Sequence, residues 1–182
     1  SSNTWYFRNH ENWNCLLLDC SYENPAINLH KRQLTKDNIR KILCDFKVPW
    51  ELDFLCIDID GNDYWILDAI LMTFEPRVIM VETCIRFDPT ESVAQCYDPN
   101  FRWNGRDWYG ASPLAFKRLV ESRGYTIVYI HLDDAIIVRN DCLTEEMIKT
   151  AQAQFPQFAK ANPELYQSHG SATRESNNWI TV

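Results

Sequence analysis

Residues 52–70 read LDFLCIDIDGNDYWILDAI, an apolar run that breaks into DIDGND and then returns to apolar residues. A strand running into a helix needs one capping residue at most, yet Asp58, Asp60 and Asp63 fall within six positions. Gly61 permits a tight turn, Asn62 is placed to cap the next helix, and Asp63 falls in its first turn, where the helix dipole favours an anion. Asp58 and Asp60 have no such structural duty. Alternation along a strand points Asp58 with Phe54 and Cys56. It ends its strand, and in a parallel sheet ligands gather at the carboxyl ends of the strands.

Working outward, the same alternation of strand and helix recurs. Short apolar runs lie at 15–20 (CLLLDC), 53–59 (DFLCIDI), 77–83 (RVIMVET), 125–131 (YTIVYIH) and 134–140 (DAIIVRN). Helical patterns lie between them at 35–46, 63–74 and 112–124, the last closing on Gly124 as a helix C-cap. Continuous apolar strands alternating with helices predict an α/β fold with a parallel sheet covered on both faces. The last two runs are separated only by Leu132 and Asp133, too few residues for a crossover helix, and therefore form an antiparallel hairpin. Strands 53–59 and 77–83 are expected to be parallel and central. Residues 84–110 form a long connection with little periodicity, the kind of loop that is commonly functional. The expected domain spans 1–159, and 160–182 is a polar tail expected to pack loosely.

Composition narrows the class. The chain has 182 residues, 46% hydrophobic and 24% charged, enough for one globular domain with a sizeable core. The net charge of −7 and the absence of a long Lys/Arg cluster argue against a surface that tracks a phosphate backbone, so nucleic acid is not an expected partner. Seven cysteines, an odd number without a CxxC pair, several of them in apolar runs, read as reduced thiols in a cytoplasmic setting. No signal peptide or apolar stretch of membrane-spanning length is present. None of the five glycines precedes Gly61, so a glycine-rich nucleotide loop at the start is missing.

Asp58 and Asp60 admit two chemical readings from the residues alone. One is a DxD metal site. The other is a phosphohydrolase like the haloacid dehalogenases, since FLCIDIDGND places four apolar residues before DxDG. There Asp58 would be the nucleophile and Asp60 the acid/base, with Mg²⁺ required and HLDDAI supplying a downstream acidic pair, Asp133 and Asp134. In that family the motif opens the domain, whereas here it lies in the middle.

A third reading comes from resemblance. SNTWYF, LDFLCIDIDGNDYWILDAI, PRVIMVET, YGASPLAFKRLVESRGY and AIIVRND occur in the order in which similar segments occur in FkbM-like methyltransferases, over roughly residues 1–142. The resemblance implies a Rossmann-like methyltransferase sheet, mostly parallel with a C-terminal antiparallel hairpin. It also implies S-adenosylmethionine as cofactor and O-methylation of a glycan or small metabolite. The family's usual first strand and Gly-rich loop precede the SNT and have no counterpart here, so the chain is expected to be a domain of a larger protein that builds glycans. Carried over by position, Ser2, Asn3 and Thr4 follow the cofactor loop, and Asp19 ends the strand whose acidic residue holds the ribose hydroxyls. Asp58 falls close to the transferred methyl, and Asp60 and Glu82 complete an acidic pocket. Tyr109, Gly110 and Ser112 match YGAS and line the acceptor side.

The chemistry of these residue types agrees with such a placement. A sugar hydroxyl is a poor nucleophile, helped by a carboxylate that takes its proton or by a divalent ion that lowers its pKa. Asp58, Asp60 and Glu82 are oxygen ligands suited to Mg²⁺ or Ca²⁺ rather than zinc. His131 ends a strand at the same sheet edge and is the other candidate base; His10, His30 and His169 carry no pattern. Trp103, Trp108 and Tyr109, in the aperiodic loop, offer flat faces on which a sugar ring can stack. The expected activity is therefore S-adenosylmethionine-dependent O-methylation of a carbohydrate or related hydroxyl acceptor. The alternatives are the Mg²⁺-dependent phosphohydrolase and a non-catalytic descendant that keeps the sheet and binds a partner through the aromatic loop.

Overall fold

Period-two and period-3.6 patterns resolve into the elements they predict, with several short additions. The computed structural model describes residues 4–11, 13–103, 109–160 and 178–182. Along the chain these form α1 (Trp5–His10), β1 (Leu17–Asp19), β2 (Leu29–Lys31), α2 (Ile39–Asp45), β3 (Phe54–Ile57), α3 (Asp63–Leu71) and β4 (Val78–Glu82). Then come β5 (Val93–Gln95), α4 (Pro113–Glu121), β6 (Tyr125–His131), β7 (Asp134–Arg139), α5 (Glu145–Phe158) and β8 (Trp179–Thr181).

The main sheet has four strands in the order β3-β4-β7-β6. β3 and β4 are parallel, in register from Phe54 opposite Val78 to Ile57 opposite Val81. β7 runs antiparallel to both β4 and β6, and the β6–β7 turn is the expected pair Leu132–Asp133. The fold is thus α/β with parallel strand pairs and a C-terminal hairpin. One expectation needs correcting: β3 is an outer strand of this sheet, not a central one, because among the described residues β1 and β2 pair with each other and not with β3.

The core forms where apolar stripes meet. α3 buries Ile66, Leu67 and Ile70 in one cluster with Ile79 and Val81 of β4 and Ile137 of β7. Its continuous apolar pattern follows from being covered along most of its surface. α4 adds Phe116 and Val120, and starts as its sequence predicts, with Pro113 in the first turn and the Ser112 hydroxyl accepting the Ala115 N–H. Gly124, at φ 81°, lets the chain turn into β6 after α4.

The segment 84–110 and the tail hold more structure than their sequences suggest. β5 lies within the former and pairs antiparallel with β8 at the end of the latter, Val93 opposite Thr181. Trp179 packs edge-on against Phe87 at 4.8 Å. Val182 N–H donates to the Ser92 carbonyl, and the Ser92 hydroxyl donates back to the Val182 carbonyl. The end of the tail is therefore tied to the domain instead of packing loosely.

Candidate functional site

The parallel pair brings the first two carboxylates together. Ile57 and Val81 form the last registered pair of β3 and β4, and the next residue in each chain is Asp58 and Glu82. Asp60 joins them because the backbone after Asp58 reverses at once: Asp60 adopts φ 57° and Gly61 φ 151°. Aspartate tolerates the left-handed region better than most residues, which suits it to this position. One carboxylate oxygen from each of Asp58, Asp60 and Glu82 lies within 4.8 Å of the other two. The sheet and the turn thus assemble the acidic trio named from the sequence.

Asp63 holds the turn in shape. It is 1% exposed, and its Oδ1 and Oδ2 accept the N–H groups of Ile59 and Gly61 at 2.9 and 2.8 Å. Burial pushes its carboxyl up to about 6, against the backbone bonds that favour the anion, and the Asp58 charge adds to the rise. Asn62 occupies the cap position of α3 but makes no side-chain cap bond; its amide donates to the Asp98 carbonyl at 2.8 Å. Above the turn, the Phe101 ring sits where a Cβ on Gly61 would be, so glycine is required for space as well as for φ.

Glu82 is the most perturbed carboxylate of the group. Its Oε1 accepts the Tyr109 hydroxyl at 2.6 Å. Its Oε2 is buried and meets no hydrogen-bond partner among the described residues. Burial pushes its carboxyl up to about 8; the Tyr109 bond opposes this, and the charges of Asp63, Asp58 and Asp133 reinforce it. The Tyr109 phenol is raised in turn, by burial and then by Glu82.

Asp134 stands opposite Glu82 in the β4–β7 register and opposite His131 in the β6–β7 register. Its carboxyl is raised to about 6, by burial first and then by the charges of Asp133 and Asp58, with His131 opposing them. His131 therefore shares the sheet end with Glu82 but stands two strands away, about 10 Å at ordinary strand spacing. It is exposed, and its ring stacks on Tyr129.

The remaining predicted residues divide. Asp19 ends β1 as expected, and its Oδ1 accepts the N–H groups of Ser21 and Tyr22 at 2.6 and 2.8 Å. Thr4 precedes α1; Ser2, Asn3 and Trp108 lie outside the described residues. Trp103 is 41% exposed, with its ring 5.8 Å from that of Tyr109. Ser112 does not face an acceptor: it is 0% exposed, and its hydroxyl accepts from Val93 and Ala115 while donating to Glu91. Gly110 is likewise buried, exchanging hydrogen bonds with Gln95. Phe101 and Asp98 were not singled out from the sequence. The local signals for them among the described residues are Gly61, on which Phe101 packs, and Asn62, which bonds Asp98, both partners lying some forty residues downstream.

Fold and site together define an α/β domain with an acidic centre at the carboxyl ends of two parallel strands. No family model matches the chain, and comparison with curated proteins and with solved structures returns no match. Among the described residues, no helix is long and apolar enough to cross a membrane.

Proposed function

We propose that this chain is the catalytic sheet of an S-adenosylmethionine-dependent O-methyltransferase that acts on a carbohydrate or related hydroxyl acceptor. The observation that carries this reading is the convergence of Asp58, Asp60 and Glu82 at the carboxyl ends of β3 and β4. The resemblance of the segment order to that of FkbM-like methyltransferases supports it. The cofactor supplies a methyl group on a sulfonium, and its displacement mainly requires that the two reactants be positioned in line.

The residues of this chain are suited to activating the acceptor. A carboxyl titrating near 8, as Glu82 does, takes up a proton most usefully close to neutral pH. Asp58 and Asp60 are exposed and orient the incoming hydroxyl or, together with Glu82, hold a divalent ion. Three carboxylates without nitrogen or sulfur fit Mg²⁺, Ca²⁺ or another hard cation. Toward the cofactor, Asp19 keeps Oδ2 for the ribose hydroxyls while Oδ1 fixes its own turn, and Thr4 continues the segment that begins with Ser2 and Asn3. Trp103 and Tyr109 flank the acceptor. Further domains of a glycan-building protein are the fitting partners.

Calorimetry with S-adenosylmethionine and S-adenosylhomocysteine, each with and without Mg²⁺, tests the assignment. Both compounds are expected to bind; no heat from either, in either condition, removes it. The phosphohydrolase reading has one observation in its favour, because Asp134 lies near enough to Asp58 to be raised by its charge. Mg²⁺-dependent phosphate release from p-nitrophenyl phosphate by the unmodified chain would select it.

A further inference from the structure

Glu82 belongs to the acidic centre, yet neither of its oxygens is open to an acceptor. Oε1 is held by the Tyr109 phenol, and Oε2 is buried. A base must come within hydrogen-bond reach of the proton it takes. Something has to move, and the two partners of the 2.6 Å bond differ in their freedom to do so. Glu82 is the last residue of β4 and is registered against Asp134 of β7. Tyr109 belongs to neither strand nor helix, and its ring neighbour Trp103 is exposed. The residue after it, Gly110, adopts φ 72° with no atom within 4 Å of where a Cβ would stand. The backbone from there on is fastened, with Gly110 bonded to Gln95 through both its N–H and its carbonyl, the Ala111 carbonyl accepting from Cys84 and the Ser112 N–H donating to Val93, so the freedom lies in the Tyr109 side chain.

We propose that the Tyr109 hydroxyl is a latch that keeps the acceptor's place on Glu82. An acceptor O–H replaces the phenol O–H on Oε1 as the Tyr109 side chain turns aside about its own Cα–Cβ bond. The exchange trades one hydroxyl donor for another, so opening leaves no buried carboxylate oxygen newly unpaired. It also restricts the ligand, since an ether or a carboxylate has no proton to give and cannot displace the phenol. The latch rests on the reading of Glu82 as part of the acceptor-activating centre. It differs from a role in which Tyr109 merely fixes Glu82 in position, because removing the hydroxyl then has the opposite sign.

Carboxyl labelling with a carbodiimide and glycine ethyl ester, mapped by peptide mass spectrometry, compares the unmodified chain with Tyr109→Phe. Phenylalanine keeps the ring and its packing and removes only the donor. Labelling of Glu82 is expected to rise several-fold while that of exposed Asp37 stays constant. Mn²⁺, titrated by electron paramagnetic resonance, is expected to bind more tightly to the variant. Unchanged labelling of Glu82 overturns the latch, and weaker Mn²⁺ binding by Tyr109→Phe overturns it in favour of the fixing role. Increased labelling with no Mn²⁺ binding by either protein upholds the latch and removes the divalent ion from the proposed function. As a second variant, Trp103→Ala leaves the hydroxyl and carboxylate in place but frees the Tyr109 ring. It is expected to raise Glu82 labelling by a smaller factor, and a fall would count against a moving Tyr109.

Discussion

Asp58 and Asp63 stand five residues apart and have opposite duties, decided by exposure. Asp58 is exposed at the acidic centre, whereas Asp63 is buried and fully bonded to backbone. On the proposed reading, Asp58→Asn is therefore expected to leave the melting temperature nearly unchanged and to lower methyl transfer by about 10²-fold, the cost of a misplaced acceptor. Turnover close to that of the unmodified protein would return Asp58 to a structural role. Glu82 makes a pH prediction possible. Its carboxyl is raised from 4.5 to about 8 on folding, so the folded state favours the protonated form. The stability it contributes is complete below pH 4.5 and is lost as the pH climbs to about 8. Glu82→Gln cannot ionise, so its melting temperature relative to the unmodified protein should rise between pH 5 and pH 8, as thermal melts at a series of pH values will show. At this scale the sequence was partly legible. The surplus of carboxylates was plain in DIDGND, and the structural duty of Asp63 was anticipated, but its direction was not. It was read forward, toward the helix dipole, whereas it bonds back to Ile59 and Gly61 because the reversed turn points those N–H groups at it.

Among the elements, the long apolar strands and amphipathic helices were readable because burial writes a period into the sequence. β3, β4, β6, β7 and α4 all fall where their patterns predict. β5 and β8 were not foreseen, since strands of three residues are too short to show alternation and their pairing joins positions some ninety residues apart. The 58–63 turn illustrates the same limit. Its glycine was explained locally, but what makes Gly61 irreplaceable is the ring of Phe101 from another segment. Gly61→Ala places a methyl group in that ring and strains a left-handed φ, so it is expected to destabilise by about 1–3 kcal/mol in urea titrations. Phe101→Leu should restore part of that loss when combined with it and cost stability alone; strict additivity of the two would show that the contact is not the cause. The hairpin offers a gain. Leu132 holds φ 59° and is 46% exposed, a conformation bulky side chains avoid. Leu132→Asn is expected to stabilise by up to about 1 kcal/mol, because asparagine visits the left-handed region at lower cost.

Across the whole molecule, the acidic centre is assembled from residues far apart in sequence, and the last strand contributes to holding it. β8 pairs with β5, and Gln95 of β5 exchanges hydrogen bonds with Gly110 through its backbone and its side chain. Gly110 follows Tyr109, which bonds Glu82. The chain of contacts therefore runs from Trp179, packed on Phe87, to the carboxylate at the end of β4. Trp179→Ala removes that packing. Because the side chain is only partly buried, the cost should stay below the 3–5 kcal/mol of a fully buried tryptophan, about 2 kcal/mol. The effect should also be local before it is global. Amide hydrogen exchange of Cys96, whose N–H donates to the Asn178 carbonyl beside β8, is expected to accelerate strongly, while that of Ile79 and Val81 in the core of β4 follows only the small fall in overall stability. Labelling of Glu82 should rise with the exchange of Gln95, since Gly110 loses its anchor. Faster exchange in β5 without greater access to Glu82 would mean that the Tyr109 bond survives on its own, and that the C-terminal strand stabilises the domain without reaching the site.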